Sequence, residues 1–154
     1  MIDNLEPYLA EHPFLKGMDP RHIQLMVGCA SNVRFEAGKY IFRENDEADK
    51  FYFIRHGKVA LEIFRPIKGG ITVDTLGEGD VMGWAWLFPP HYRNLDCRAI
   101  ELTRAIVLNG TCLRGKCDED HELGYEFMKR FAHLMEQELE ALRLRLLDIY
   151  GNQS

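Results

Sequence analysis

The chain has 154 residues, enough to bury the core of one domain, and its 46% hydrophobic and 28% charged residues are ordinary for a globular protein. Its net charge of −5 argues against a general nucleic-acid surface, which needs a basic face. No apolar run approaches the roughly 20 residues that cross a bilayer, and the acidic start of the chain lacks the features of a signal peptide. We therefore expect a cytoplasmic protein without a membrane segment.

Two helices are predicted within residues 1–30. The first carries apolar side chains at helical spacing and ends before His12. The second is predicted to begin at Asp19 and Pro20, because an N-cap aspartate followed by proline is a typical helix start. Between the two helices, we interpret His12 and Phe14 as a helix end and a core side chain rather than as functional groups.

Short alternating runs separated by glycine-containing turns fill residues 31–110. Such runs at regular spacing favour a small antiparallel barrel or roll. We predict strands at residues 33–36, 40–43, 50–55, 58–64, 71–76, 95–100 and 104–108.

The C-terminal helices are assigned to residues 111–150, and the helical periodicity runs from Asp118 to about Ile149. Acidic residues crowd the first turns, where they oppose the positive end of a helix dipole. Gly124 is predicted to mark a bend between two helices, since glycine is a weak helix former. One apolar face is formed by Phe127, Phe131 and Leu134.

A heptad stripe runs along the same helical region. The face of Phe127, Phe131 and Leu134 is expected to pack on the roll, and the stripe is then expected to meet something else. This favours a homodimer over a single amphipathic helix lying on its own core. The stripe consists of Met128, Ala132, Met135, Leu139, Leu142, Leu146 and Ile149, and the homodimer contact is predicted at Met135, Leu139, Leu142, Leu146 and Ile149.

The four cysteines are predicted to be reduced thiols, because a chain of this size without a signal peptide does not need disulfides. The spacing of Cys112, Cys117 and His121 does not match a zinc motif, so no metal site is predicted. No catalytic motif is present, and Cys97 and Cys112 have no evident histidine base, so we do not expect an enzyme.

Residues 79–93 form the most informative segment of the chain. At Gly83 the backbone is free to turn sharply, and the short apolar run after it ends at two prolines. We predict one short helical turn whose N–H groups at Gly83–Ala85 are placed to bind an anion. Arg93 follows, and its planar fork suits a phosphate or a carboxylate.

This segment resembles the phosphate-binding cassette of cyclic nucleotide-binding domains, which reads Gly-Asp-x-Phe-Gly-Glu-x-Ala-Leu and then Arg-x-Ala. Trp84 departs from it, because it stands where the family places the glutamate that holds the ribose hydroxyl. The indole ring has no acceptor for that hydroxyl. The residues that match without a gap are Gly79, Asp80, Gly83, Leu87 and Arg93.

The run from Phe35 to Val59 also resembles the roll of this family, so the likeness covers nearly the whole chain. It implies an α+β, mainly β fold: an antiparallel eight-stranded jelly roll with N-terminal helices and a long C-terminal helix or helix pair. It also implies a single domain, 1–154, with helices at 1–30, the roll and cassette at 31–110 and the C-terminal helices at 111–150.

The resemblance implies a small-molecule-sensing regulatory domain. The ligand is left open between cyclic AMP, cyclic GMP and another small anionic or amphipathic compound, and no other cofactor is predicted. Arg98-Ala99 also mimics the Arg-x-Ala ending, so Arg93 and Arg98 compete for the anion-binding role. The predicted ligand-binding residues are Gly83, Trp84, Ala85, Trp86, Arg93 and Asp96.

Three residues complicate ordinary nucleotide binding. Asp96 would repel a phosphate, or would pair with one of the two arginines and occupy it. Trp84 and Trp86 would either line an apolar pocket for a different ligand or fill that pocket. The space beside Trp84 therefore distinguishes a sensor from a ligand-free module.

The alternative is an interaction or oligomerisation module, which would dock a partner protein or enzyme complex through its C-terminal helix. An effector protein would read the position of that helix in a sensor. Transcription factors of this superfamily continue into a helix-turn-helix, and because the sequence leaves no room for one after residue 150, we expect no direct DNA binding.

Overall fold

Eight strands and four α-helices make up the protein in the computed structural model, which describes residues 4–67 and 69–151. The strands are β1 (Ala30–Phe35), β2 (Tyr40–Phe42), β3 (Lys50–His56), β4 (Lys58–Arg65), β5 (Gly69–Gly77), β6 (Val81–Met82), β7 (Asp96–Ala99) and β8 (Thr103–Asn109). The helices are α1 (Glu6–Glu11), α2 (Pro20–Val27), α3 (Gly110–Glu119) and α4 (His121–Gly151), with a short 3₁₀ helix at Trp84–Leu87.

The strands form two four-stranded sheets, in the orders β1-β8-β3-β6 and β2-β7-β4-β5. All their pairings are antiparallel. The predicted mainly antiparallel β-roll is therefore confirmed, and seven strands lie where the alternation predicts them. The eighth, β6, has only two residues and is too short to show a periodicity.

The predicted start of α2 is confirmed. The Asp19 side chain accepts a hydrogen bond from the Arg21 N–H at 2.9 Å, and Pro20 opens the helix. His12 is buried and Phe14 packs against the core, as interpreted. Capping and core packing thus fix the N-terminal helices on the roll.

The predicted bend at Gly124 is wrong. The chain leaves the helical conformation at Asp120, with φ −126° and ψ 95°, and Gly124 lies inside α4. The Asp120 Oδ1 accepts hydrogen bonds from the N–H groups of Glu122 at 3.1 Å and Leu123 at 3.2 Å. Because an aspartate N-cap stabilises a helix start by about 1 kcal/mol, the boundary falls where the cap is and not where helix propensity is lowest.

Aromatic side chains from the roll and from α4 form the centre of the core. Phe51 on β3 lies 5.3 Å from Phe131 and 5.8 Å from Trp86, measured between ring centroids. Phe127 is buried beside them, while Leu134 is partly buried against the same cluster. The expectation that this face of α4 packs on the roll is confirmed.

The second half of α4 behaves differently, because every residue from 136 to 151 is exposed. Several of these residues are large and apolar, and they include four members of the heptad stripe. The stripe residues exposed in this half are Leu139, Leu142, Leu146 and Ile149.

Among the described residues, no helix combines the length and apolarity that a bilayer-spanning segment needs.

The expectation of four reduced thiols is wrong, because Cys29 and Cys112 form a disulfide. Cys29 follows α2 and Cys112 lies in the first turn of α3, and the fold brings their Cα atoms to 5.7 Å, within the range that a disulfide spans. The two residues are 83 positions apart, so their spacing carried no signal of the pairing. Cys97 and Cys117 are free thiols.

Candidate functional site

A tight turn between β5 and β6 positions the first residues of the cassette. The Asp80 carboxylate accepts a hydrogen bond from the Gly77 N–H at 2.9 Å, which closes the turn. The Gly79 N–H donates to the Ile54 carbonyl at 3.1 Å, and the Ile54 N–H donates to the Asp80 carbonyl at 3.0 Å. These bonds fasten the start of the cassette to β3.

Gly83 turns the chain out of β6. It has φ +83°, in the left-handed region that glycine adopts without cost, and it is the N-cap of the 3₁₀ helix. An added Cβ at this position would lie 2.8 Å from the Arg93 Nη1. Two features of this position therefore favour glycine: its left-handed backbone angle and the close approach of the Arg93 guanidinium. The predicted short helical turn is present one residue later than expected, at Trp84–Leu87.

Arg93 is the buried centre of the site. Its Nη1 donates to the Gly83 carbonyl and its Nη2 to the Lys50 carbonyl, both at 2.6 Å, and the guanidinium lies 4.2 Å from the centroid of the Phe42 ring. Its Nε is also buried and has no hydrogen-bond partner among the described residues. Burial lowers the pKa of the Arg93 guanidinium, partly offset by the opposing influence of Tyr52.

A cavity of about 220 Å³ lies beside this guanidinium. It includes four of the six predicted ligand-binding residues: Gly83, Trp84, Ala85 and Arg93. Its remaining lining residues are Phe42, Leu61, Leu76, Val81, Met82, Asn94, Leu95 and Glu138.

The two tryptophans take different places. Trp84 is half-buried, lines the cavity and packs edge-to-face against Phe88, with the ring centroids 6.2 Å apart. Trp86 is fully buried against Phe51 and is not part of the cavity lining. Trp84 and Arg93 therefore border the same cavity.

Asp96 and Arg98 both lie outside the cavity lining. Asp96 is buried, accepts a hydrogen bond from the Glu44 N–H at 2.7 Å, and lies 3.9 Å from the Nε of Arg43, a third arginine. Arg98 instead pairs with Glu62 across β4 and β7, at 3.0 and 3.3 Å, and this pairing raises the pKa of Arg98. Of the two arginines, only Arg93 is at the cavity.

Glu138 was missed by sequence reasoning. It reaches the cavity from α4, although its residue is largely exposed. Partial burial raises the pKa of the Glu138 carboxyl, and the negative charges of Asp74 and Asp80 raise it further. The helical spacing of Phe127, Phe131 and Leu134 continues at position 138, and this continuation was the available signal.

Comparison with known proteins gives one family. The profile described as cyclic nucleotide-binding domain matches residues 32–120 of this chain. The chain is similar to the CRP-like cAMP-activated global transcriptional regulator of Mycobacterium tuberculosis, with 23% identity over 128 residues, which are 83% of this chain and 57% of that protein. It is also similar to the cAMP-dependent protein kinase regulatory subunit of Schizosaccharomyces pombe, with 31% identity over 94 residues, which are 61% of this chain and 22% of that protein. The chain thus spans little more than half the length of the first of these relatives, and less of the second.

A solved structure supports the fold. The chain superposes on a cyclic nucleotide-binding domain from Methylobacillus flagellatus with a TM-score of 0.81 and 20% identity, covering 95% of this chain and 86% of that one. The likeness extends beyond the profile match to the helices at both ends.

Proposed function

The chain belongs to the cyclic nucleotide-binding domain family, and we propose that it is a small-molecule-sensing regulatory domain with an altered ligand specificity. The observation that carries the proposal is the buried Arg93 guanidinium at the cavity, whose Nε has no hydrogen-bond partner among the described residues. Leaving a buried N–H unpaired costs about 1–3 kcal/mol, and an anionic ligand would recover that energy. The names of the two relatives described above include cyclic AMP, and the phosphate of such a ligand could accept a hydrogen bond from the Arg93 guanidinium.

The cavity restricts the ligand. Its volume of about 220 Å³ is below the roughly 300–1,000 Å³ of most small-molecule pockets. Either the ligand is small or the Trp84 indole moves when it binds. Trp84 offers an apolar wall and no acceptor, so the hydroxyl contact that a glutamate would make is lost at this position.

Glu138 supplies an acceptor from another element. Glu138 lines the same cavity as Arg93, so the cavity is bordered by one basic and one acidic residue. We favour a ligand that carries an anionic group together with a hydroxyl or amino donor. Cyclic AMP and cyclic GMP meet this description with their phosphate and ribose hydroxyl, and other small anionic metabolites meet it as well.

The same contact gives a route for signalling. A ligand that touches both Arg93 on the roll and Glu138 on α4 would favour one position of α4 over others. A partner protein would then read the exposed end of that helix. This is a population shift, whose size is limited by the difference in ligand affinity between the two helix positions.

Isothermal titration with cyclic AMP and cyclic GMP, beside a thermal-shift screen of small anionic metabolites, tests the proposal. We expect binding of at least one compound, and we expect Arg93→Lys to weaken it because an ammonium cannot reproduce the planar fork. Arg98→Lys is the matched control and should bind as the wild type does. Equal affinities for the two variants, or no binding by any compound, would contradict the proposal.

Trp84→Glu and Glu138→Gln separate the two acceptor positions. If Glu138 accepts a donor from the ligand, Glu138→Gln should weaken binding while Trp84→Glu strengthens binding of a ligand with a ribose hydroxyl. An unchanged affinity in Glu138→Gln would remove α4 from the ligand contact.

A second candidate is a docking module, favoured by the exposed apolar side chains at the end of α4. We expect Leu142→Asp to dissociate a homodimer built on the heptad stripe, measured as the mass in solution by light scattering. Leu144→Asp is the control, because Leu144 is equally exposed, at 54% against 53%, but lies off the stripe. A mass that neither substitution alters would rule out the stripe as the dimer contact.

A further inference from the structure

A second set of polar groups converges at the start of α4, outside the lining of the cavity at Arg93. His22 is the third residue of α2, Asp120 lies at the junction of α3 and α4, and Glu122 is in the first turn of α4. One nitrogen or oxygen from each residue lies within 4.8 Å of the others. Two segments that are far apart in sequence, one with His22 and one with Asp120 and Glu122, thus present an imidazole and two carboxylates to one point.

The His22 side chain is the unusual member of the set. It is fully buried, and neither of its ring nitrogens has a hydrogen-bond partner among the described residues. Its Nε2 lies 3.6 Å from the Asp120 Oδ2, too far for a good hydrogen bond. A buried polar group without a partner costs about 1–3 kcal/mol, so the fold retains this imidazole at a cost.

The two oxygens of Asp120 have separate environments. Oδ1 caps α4 through the N–H groups of Glu122 and Leu123, which fixes the orientation of the carboxylate. Oδ2 is thereby held toward His22. Carboxylates and imidazoles that bind metals are oriented by such additional hydrogen bonds.

Glu122 can turn to the same point at little cost. Its carboxylate pairs with the Arg21 Nη2 at 3.4 Å, and both side chains are more than 60% exposed. Exposed ion pairs of this kind contribute about 0–1 kcal/mol. Exchanging this pair for a stronger ligand bond is therefore favourable.

We propose that His22, Asp120 and Glu122 bind a divalent transition-metal ion of the zinc type. Zinc takes histidine nitrogen and carboxylate oxygen at about 2.0–2.2 Å in tetrahedral geometry, which separates neighbouring ligand atoms by about 3.3–3.5 Å. The observed 3.6 Å between His22 Nε2 and Asp120 Oδ2 is close to that separation. Calcium and magnesium prefer oxygen ligands alone, so the imidazole selects against them.

The proposed site borders open space. His22 and Glu122 both line a groove of about 970 Å³ that runs along α4. Water or a small ligand in this groove would complete the coordination. The ion would join α2 to the junction of α3 and α4, and so fix the base of α4 on the domain.

Titration of metal-free protein with zinc chloride, followed by calorimetry and by thermal unfolding, tests the site. We expect one zinc ion per chain and a higher unfolding temperature, because an ion that binds only the folded state stabilises it. Calcium chloride in the same assay should give neither effect. Absence of a zinc effect, or an equal effect of calcium, would overturn the assignment.

Single substitutions test the ligand set. Both Glu122→Gln and Asp120→Asn should fold, because the first changes an exposed side chain and the second keeps an N-cap residue. Each should weaken zinc binding by about tenfold or more, since even the loss of a group that only orients a ligand costs about 10- to 100-fold in metal affinity. Glu119→Gln is the matched control beside Asp120, and Cys117→Ser excludes a contribution from the nearby thiol. Full zinc affinity in Glu122→Gln and Asp120→Asn, or lost affinity in Cys117→Ser, would refute the proposed site.

Discussion

Replacing Arg93 with alanine should destabilise the domain as well as abolish anion binding. The guanidinium joins the cassette to β3, because it donates to the carbonyl oxygens of Gly83 and Lys50 at 2.6 Å each. The substitution would leave the Gly83 and Lys50 carbonyls, in part-buried hydrogen bonds, without their donors.

The magnitude follows from these contacts. Hydrogen bonds to a charged group contribute about 1.5–3 kcal/mol each, so the two together are worth roughly 3–6 kcal/mol. Burial lowers the pKa of Arg93, which shows that the guanidinium is held in surroundings that disfavour its charge. Because removing the side chain relieves that penalty, we expect a net loss of about 2–4 kcal/mol in the free energy of unfolding.

Urea unfolding monitored by tryptophan fluorescence measures this loss. Arg98→Ala is the control, because Arg98 forms a partly exposed pair with Glu62 and should cost less than about 1 kcal/mol. A free energy of unfolding for Arg93→Ala within about 1 kcal/mol of the wild-type value, or an equal loss in Arg98→Ala, would contradict this expectation. Arg93→Lys should fall between the two, since one ammonium cannot reach both carbonyls in the planar geometry of the fork.

Three further perturbations test other features of the fold. Burial lowers the pKa of His12 from 6.5, so the unfolded chain binds more protons than the folded one. The free energy of unfolding should therefore fall as pH drops below about 6.5. The urea midpoint should fall less between neutral and low pH in His12→Gln than in the wild type. Reducing the Cys29–Cys112 disulfide, which links residues 83 positions apart, should cost about 2–4 kcal/mol in the same assay, and a Cys29→Ala/Cys112→Ala double variant should be insensitive to reductant. Gly83→Ala should cost at least about 1–2 kcal/mol, because it places a Cβ in the left-handed region and against Arg93, and a stability equal to the wild type would contradict that geometry.

Much of the fold could be predicted because it is determined locally. Alternation marks strands of three or more residues, and Asp19 before Pro20 marks a helix start, since both signals act within a few positions. The bend was predicted at Gly124 but lies at Asp120. The side-chain cap by Asp120 determined the helix boundary, and the low helix propensity of Gly124 did not. The Cys29–Cys112 disulfide depends on how two segments 83 positions apart pack together, and no local sequence pattern predicts that packing.

The site was predicted only in part, for the same reason. The cassette motif predicted Gly83, Trp84 and Arg93, which line the cavity, because all three lie within one segment of 15 residues, 79–93. The contact of Arg93 with Lys50 and the approach of Glu138 from α4 join segments that are more than 40 residues apart. Trp86 illustrates a further limit, since an aromatic residue two positions from a cavity-lining one points into the core.

The exposed end of α4 would enlarge any small movement of the helix beyond the core. Residues 136–151 are about 24 Å long at 1.5 Å per residue, and they follow the part of α4 that Phe127 and Phe131 hold in the aromatic core. A rotation of about 10° near residue 135 would displace the far end by about 4 Å, close to the spacing between neighbouring strands. Under the proposed function, a change that leaves the aromatic core in place would thus become a displacement large enough for another protein to detect.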